Sequence, residues 1–410
     1  MNASPAAKPL LFVALLFLCV TTAVAQEQDT TAAQAADMSA VQPSVAQDAI
    51  YQRPFIGSAA GVSVGGYAEV NTNYFVEDGI KEGFSLEMRR FNIFVYSGIS
   101  RRITFFSELE FEHGTEEIAL ETAILDVEIN PSFVLRGGIV LPPLGRFNQE
   151  HDSPLWEFVE RPLVSTEIIG ATLHEVGFGA YGKLYPGPVT LTYDLYATNG
   201  IGDGVLVNEE GRTHLPSGQR EEQFEEDNNG SPAFSGRLAA RYALVGEFGV
   251  SFYTARYNTF EIEGDPVDDP RRASVFAVDY LTEVAGIELR GEAAYALIDV
   301  PDHMDDVFGE RQWGAHLDII APVWKPHVFG LQSVLNLNLR LEAVDFNVGT
   351  FDTTGQRIGD EVYAVVPGVS FRPTPSTVFR ANYRRHWNYD LVGNAPAKVG
   401  GIQVGFASYF

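Results

Sequence analysis

Residues 150–153 read Glu-His-Asp-Ser, which sets a carboxylate, an imidazole, a second carboxylate and a hydroxyl side by side. These are the residue types of a hydrolytic triad, in which a base activates a serine and an acid orients the base. Triad partners are brought together by the fold, however, and neighbours on one loop rarely have the required geometry. The chain is therefore read as not an enzyme, with no catalytic residue, cofactor or metal site. The surrounding stretch, "VLPPLGRFNQEHDSPLWEFVERPLV" (residues 140–164), offers a different chemistry. Arg146, Glu150, Asp152 and Arg161 present mixed charge from a long, proline-stiffened connection that Trp156 and Phe158 can anchor. Charge of this kind selects ions where it faces a water-filled passage.

A passage needs charged walls as well, and period-2 alternation supplies them. Arg237 and Arg241 fall on the face opposite Leu238 and Tyr242, Arg290 opposite Leu289, Arg340 opposite Leu339, and Arg380 and Arg384 opposite Phe379 and Tyr383. An arginine facing lipid near the bilayer midplane would cost roughly 2–4 kcal/mol. These six are therefore read as pore-lining. The alternative is that they pair with Glu288, Glu292 and Glu342 and stiffen the wall; one arginine can do both. In "EMRRFNIF", parity places Arg89 with Glu87 but leaves Arg90 with Met88, so a bulge or the membrane rim must intervene. Arg101 and Arg102 fall at an expected periplasmic turn and read as rim.

The elements that must position these residues are strands. From about Gly61 to Phe410 the chain offers about sixteen segments, most of ten to fourteen residues, that alternate apolar with polar positions, as in "VTLTYDLYAT" and "VLNLNLRLEA". Soluble strands cluster near 5–6 residues, whereas a strand crossing a membrane needs about 9–11. Short connections such as "GISR", "NPS" and "EVAG" alternate with longer polar ones such as "EDGIKEG", "EHGTEE" and residues 200–230. Tight turns at one end and long loops at the other are the pattern of an outer-membrane barrel. An open edge is forbidden in lipid, so the sheet must close. The expectation is an all-β, transmembrane antiparallel β-barrel of about 16 strands whose third external loop, residues 140–164, folds inward as the constriction.

Before the barrel, Lys8, an apolar run from Leu10 to Val20 and Ala23-Val24-Ala25 read as a secretory signal peptide over residues 1–25. Residues 26–60, poor in aromatic side chains, read as a flexible periplasmic leader. The barrel takes residues 61–410. The only cysteine, Cys19, falls within the leader peptide, which leaves no disulfide or thiolate site. With 28 Lys+Arg against 54 Asp+Glu and a net charge of −26, nucleic acid is excluded as a partner. Much of the acid lies in the expected external loops "EEQFEED", "EIEGDPVDD" and "DVPDHMDD". It reads as a solvated surface, with divalent-ion bridging between lipid headgroups as the alternative.

"RRFNIFVYSGISRRITFFSELEFEHG", "VLRGGIVLPPLGRFNQEHDSPLWEFVERPLV" and the terminal "ASYF" together resemble the phosphate-selective porin O/P family. The resemblance implies a sixteen-stranded, usually homotrimeric channel of the cell outer membrane, narrowed by its third loop. Its partners would be outer-membrane lipid and small ions or solutes, phosphate or other anions among them, crossing by passive diffusion. Studied members combine an arginine ladder with lysine-rich features. This chain has no lysine between Lys81 and Lys183, so phosphate selectivity does not carry over with the fold. An adhesion or envelope-structural barrel is the alternative function.

Overall fold

The computed structural model describes residues 46–410 apart from 55, 60, 220–223, 225, 226, 228, 244, 303, 305 and 329. The expected signal peptide, residues 26–45 of the expected leader and parts of two acidic loops therefore lie outside the described residues.

The strands are β1 (Val62–Glu77), β2 (Ile80–Gly98), β3 (Ile103–Glu112), β4 (Glu117–Asn130), β5 (Phe133–Val140), β6 (Glu175–Leu184), β7 (Val189–Thr198) and β8 (Ala233–Tyr242). They continue as β9 (Gly246–Arg256), β10 (Arg272–Val284), β11 (Ile287–Ile298), β12 (Arg311–Trp324), β13 (Val334–Asp345), β14 (Glu361–Thr374), β15 (Thr377–Asn388) and β16 (Ala397–Tyr409). Each pairs antiparallel with the next, and β16 returns to β1 from Tyr67↔Tyr409 to Glu77↔Val399, which closes a sixteen-stranded barrel. A short strand, Ile56–Ala59, pairs with β1 below the end of β16. At the seam Phe410 donates its backbone N–H to the Gly66 carbonyl at 3.0 Å. A Cβ at Gly66 would strike both the Asn92 carbonyl and the Phe410 ring, so glycine is what lets the last residue seat there.

The burial pattern is inverted relative to a soluble sheet. In β13, Asn336, Asn338, Arg340 and Glu342 are buried while Leu337 is exposed; in β7, Asp194 and Tyr196 are buried while Leu195 is exposed. Exposed Leu238, Phe276, Phe379 and Ile402 continue the apolar outer surface. An apolar exterior and polar interior on a closed sheet is the arrangement a bilayer requires.

One expectation about connections changes. "EDGIKEG" is not an open loop: β1 and β2 stay paired as far as Glu77↔Ile80. Asp78 and Gly79, at φ 46° and 90°, make a two-residue hairpin turn. Beyond β12, His327–Val328 and Leu331–Gln332 pair in a small ladder of their own before β13 begins. The irregularity at "EMRRFNIF" is a β-bulge. Glu69 pairs with Arg90 and Val70 with Met88, which leaves Arg89 as the extra residue and turns both arginines inward.

The interior is largely filled. The third external connection, residues 141–174, crosses the lumen and carries a short 3₁₀ turn, Ser153–Leu155, and a π-helical turn, Val164–Ile169. Val164, Ile168 and Ile169 pack on a patch where the inner wall is small and apolar, including Ala255, Ala277, Ala294 and Ala296. The end of the expected flexible leader is also folded in. Residues 46–54 lie inside the barrel, with Ile50 packed among Tyr67, Phe94 and Phe106. There Gln47 donates to the Asp194 carboxylate at 2.9 Å and Arg53 to Glu108 at 2.7 Å.

Candidate functional site

The third loop is held to the wall by buried charge. Arg340 of β13 pairs with Asp318 of β12 at 2.6 Å, donates to the Glu160 carbonyl at 2.7 Å and lies 4.3 Å over the Phe158 ring. Arg380 of β15 pairs with Glu69 at 3.0 Å and donates to the carbonyls of Ser153 and Phe158. Arg372 of β14 grips Glu157 at 2.6 Å. From the other direction Glu292 accepts from the Phe147 N–H and the Ser165 hydroxyl, and Glu342 accepts from the Leu163 N–H. A Cβ at Gly145 would run into the Glu292 carboxylate, so this anchor requires glycine.

What is left open is a cavity of 610 Å³ bounded by the loop and by β15, β16, β1 and β2, running up to Glu77, Glu82 and Asn388 at the long-loop end. Arg89, Arg90, Arg161, Arg380 and Arg384 face it, and so do Glu69, Glu77, Glu82, Glu160 and Glu167. The two signs are interleaved. Glu160 accepts from Arg89 at 2.7 Å and from Gln403 at 2.9 Å, Arg90 reaches Glu69 at 3.2 Å, and Arg384 reaches Glu342 at 3.0 Å. Arg161 differs, since its guanidinium donates to the Ala171 carbonyl and the Thr172 hydroxyl. Toward the termini a second cavity, of 110 Å³, is lined by Arg53, Leu155 and Tyr409. The layer between the two holds Asp152, which accepts from Arg53 and from Tyr409, and Ser153, which accepts from Arg380.

The residues singled out from sequence are distributed unevenly. Arg380, Arg384 and Arg161 line the larger cavity. Arg237 is buried between Asp279 and Glu247, Arg290 pairs with Glu288 beneath Trp156, and Arg340 lies under the loop. Arg241 is half-buried at the short-turn end of β8. Arg146 and Glu150 pair with each other at 2.6 Å, and Arg146 also pairs with Glu247, on the side of the loop away from the cavity. The members of the 150–153 run face four different sets of partners: Glu150 meets Arg146, His151 meets Glu121, Asp152 meets Arg53, and Ser153 meets Arg380. The chain does contain one G-x-S-x-G spacing, Gly61–Gly65, but Ser63 sits in the ladder of β1 opposite Tyr96, not at a strand-to-helix elbow. Sequence reasoning missed Arg53, Glu157, Glu160 and Tyr409. Only Tyr409 carried a signal, as an inward position of the last strand.

No protein-family model matches the chain. An uncharacterised protein of Aquifex aeolicus is 26% identical over 350 residues, spanning 79% of this chain and 76% of its own length. Among solved structures, the anion-selective porin of Comamonas acidovorans is similar at a TM-score of 0.53 and 13% identity, over 85% of this chain and 99% of its own. The outer-membrane channel DcaP of Acinetobacter baumannii gives 0.54 at 12% identity, over 86% and 99%. OmpF of Salmonella typhi gives 0.54 at 10% identity, over 85% and 98%. The fold is that of the outer-membrane porins. A barrel of this size with this apolar exterior belongs in the outer membrane.

Proposed function

We propose that the protein is an outer-membrane porin through which small ions and solutes diffuse passively, assembled as a homotrimer. The observation that carries this reading is the cavity between the third loop and β15, β16, β1 and β2, lined by five arginines and five glutamates and reaching toward the long loops. The layer of Asp152, Arg53 and Tyr409 stands between this cavity and the smaller one at the other end, and on this reading solutes pass it. Selectivity in such a passage follows the charge its walls present. Here nearly every arginine at the wall faces a carboxylate, so the passage discriminates weakly by sign, and a dedicated phosphate path is not part of this reading.

Purified protein added to a planar bilayer is expected to give stepwise conductance; a heat-modifiable, folded barrel with no conductance would overturn the proposal. Arg161→Ala should move the reversal potential in a salt gradient toward cation preference, because Arg161 is the cavity arginine bonded to neutral groups. Arg146→Ala, whose charge is sealed between Glu150 and Glu247, should leave the potential where it was.

A further inference from the structure

Glu108 of β3, Glu121 of β4 and His151 of the third loop converge where the loop meets the wall. All three are buried, and one donor atom from each lies within 4.8 Å of the others. His151 Nε2 stands 3.3 Å from Glu121 Oε2 and 3.9 Å from Glu108 Oε2, with Asp152 Oδ1 at 3.8 Å. The other ring nitrogen, Nδ1, is 3.1 Å from the Asn148 carbonyl oxygen. A carbonyl can only accept, so Nδ1 carries a proton, and in the neutral ring the Nε2 lone pair faces the carboxylates. Neither Nε2 nor Glu121 Oε2 has an aligned hydrogen bond, although both are buried. Two electron-rich atoms at that separation, away from water, repel unless a proton or a metal cation sits between them.

Charge and geometry choose among cations. With all three carboxyls ionised, Glu108, Glu121 and Asp152 set three negative charges around Arg53, which pairs with Glu108 and Asp152, and a dication suits such a cluster. Ligand bonds of about 2.1 Å at tetrahedral angles hold donor atoms about 3.4 Å apart; His151 Nε2 stands at that spacing from Glu121, at 3.3 Å, while Glu108, at 3.9 Å, closes in slightly on binding. An imidazole joined to carboxylates, with no thiolate, suits zinc, manganese or ferrous iron; calcium and magnesium prefer all-oxygen shells. The Nδ1–H to a backbone carbonyl is the outer contact that metal-bound histidines ordinarily make. The cluster lies beside the 610 Å³ cavity, which His151 borders.

We propose that Glu108, Glu121 and His151 bind one divalent transition-metal cation, which clasps the third loop to the wall formed by β3 and β4. The test uses the full folded chain in detergent, stripped with EDTA and dialysed against micromolar Zn²⁺, Mn²⁺ or Co²⁺ in excess Mg²⁺ and Ca²⁺, which occupy the acidic outer loops. About one transition-metal ion per wild-type chain is expected, with binding about tenfold weaker or worse in His151→Gln and in Glu121→Gln. Heat modifiability of each variant reports that the barrel has folded. Should a variant fail to fold, X-ray absorption of the Co²⁺-loaded wild type decides, and a single nitrogen in a mainly oxygen shell is expected. No bound metal in wild type, equal binding by both variants, or a shell of oxygen alone would overturn the proposal and leave His151 as a protonated clamp.

Discussion

Arg340 and Asp318 show what most of the inward arginines do. Both side chains are almost wholly shielded, and their pairing is two-pronged, at 2.6 and 2.8 Å. Removing one partner of such a pair strands a buried charge, which costs about 3–5 kcal/mol, whereas replacing both with apolar groups of similar size is often close to neutral. Arg340→Ala is thus expected to lower the urea midpoint of the detergent-folded barrel by that order of free energy, and Arg340→Met combined with Asp318→Leu to recover most of it. A single variant as stable as wild type would mean that water reaches Asp318. Parity alone named Arg237, Arg290, Arg340, Arg380 and Arg384 as inward. It also offered Glu288 and Glu342, which pair with Arg290 and Arg384, but not Asp318, Asp279 or Glu69, because these come from other strands and the register between strands is set by pairing that no single segment encodes.

At the scale of elements, the strands were legible because each must satisfy lipid on one face, and that demand repeats every second residue. The loops were legible only in part. "EDGIKEG" is polar like a loop, yet Asp78-Gly79 supplies the positive-φ pair of a tight hairpin and the strands run on past it. The third loop's length and prolines marked it, but its seat did not show, since the Ala-rich patch that receives Val164, Ile168 and Ile169 reads as ordinary weak alternation. The outer loops also touch one another. Asp360, at the foot of loop 346–360, pairs with Arg212 of loop 199–232 at 2.9 Å, and Arg212 covers the Phe346 ring. Burial pushes the Asp360 carboxyl above its ordinary range; Arg212 opposes this and Asp390 adds to it. A carboxyl whose pKa is raised in the docked state binds its proton more tightly there. Docking is therefore fully supported below the ordinary carboxylate pKa and weakens as pH rises through the raised one. Limited proteolysis of these loops should accelerate across that window as pH increases; a rate that falls instead would show the Arg212 pair to dominate.

For the whole molecule, the unexpected part is the segment at residues 46–54. Nothing in its composition distinguished it from a tether, yet it occupies the lumen beside the third loop, with Arg53 bridging Glu108 and Asp152 and Tyr51 donating to Asp126. Deleting residues 46–54 should raise single-channel conductance while leaving a folded barrel, because the layer between the two cavities loses Arg53. Unchanged conductance would place the narrowest point elsewhere along the loop. Arg53→Ala, a milder change, should shift conductance in the same direction by less.

The seam between β1 and β16 joins the first barrel strand to the last, so its contacts, Tyr67 opposite Tyr409 and Phe410 on Gly66, are the ones most distant in sequence. The ring cannot be complete until β16 is in place. Losing that one strand would not give a smaller barrel of the same kind but would leave two unpaired strand edges facing lipid, each backbone group there costing several kcal/mol.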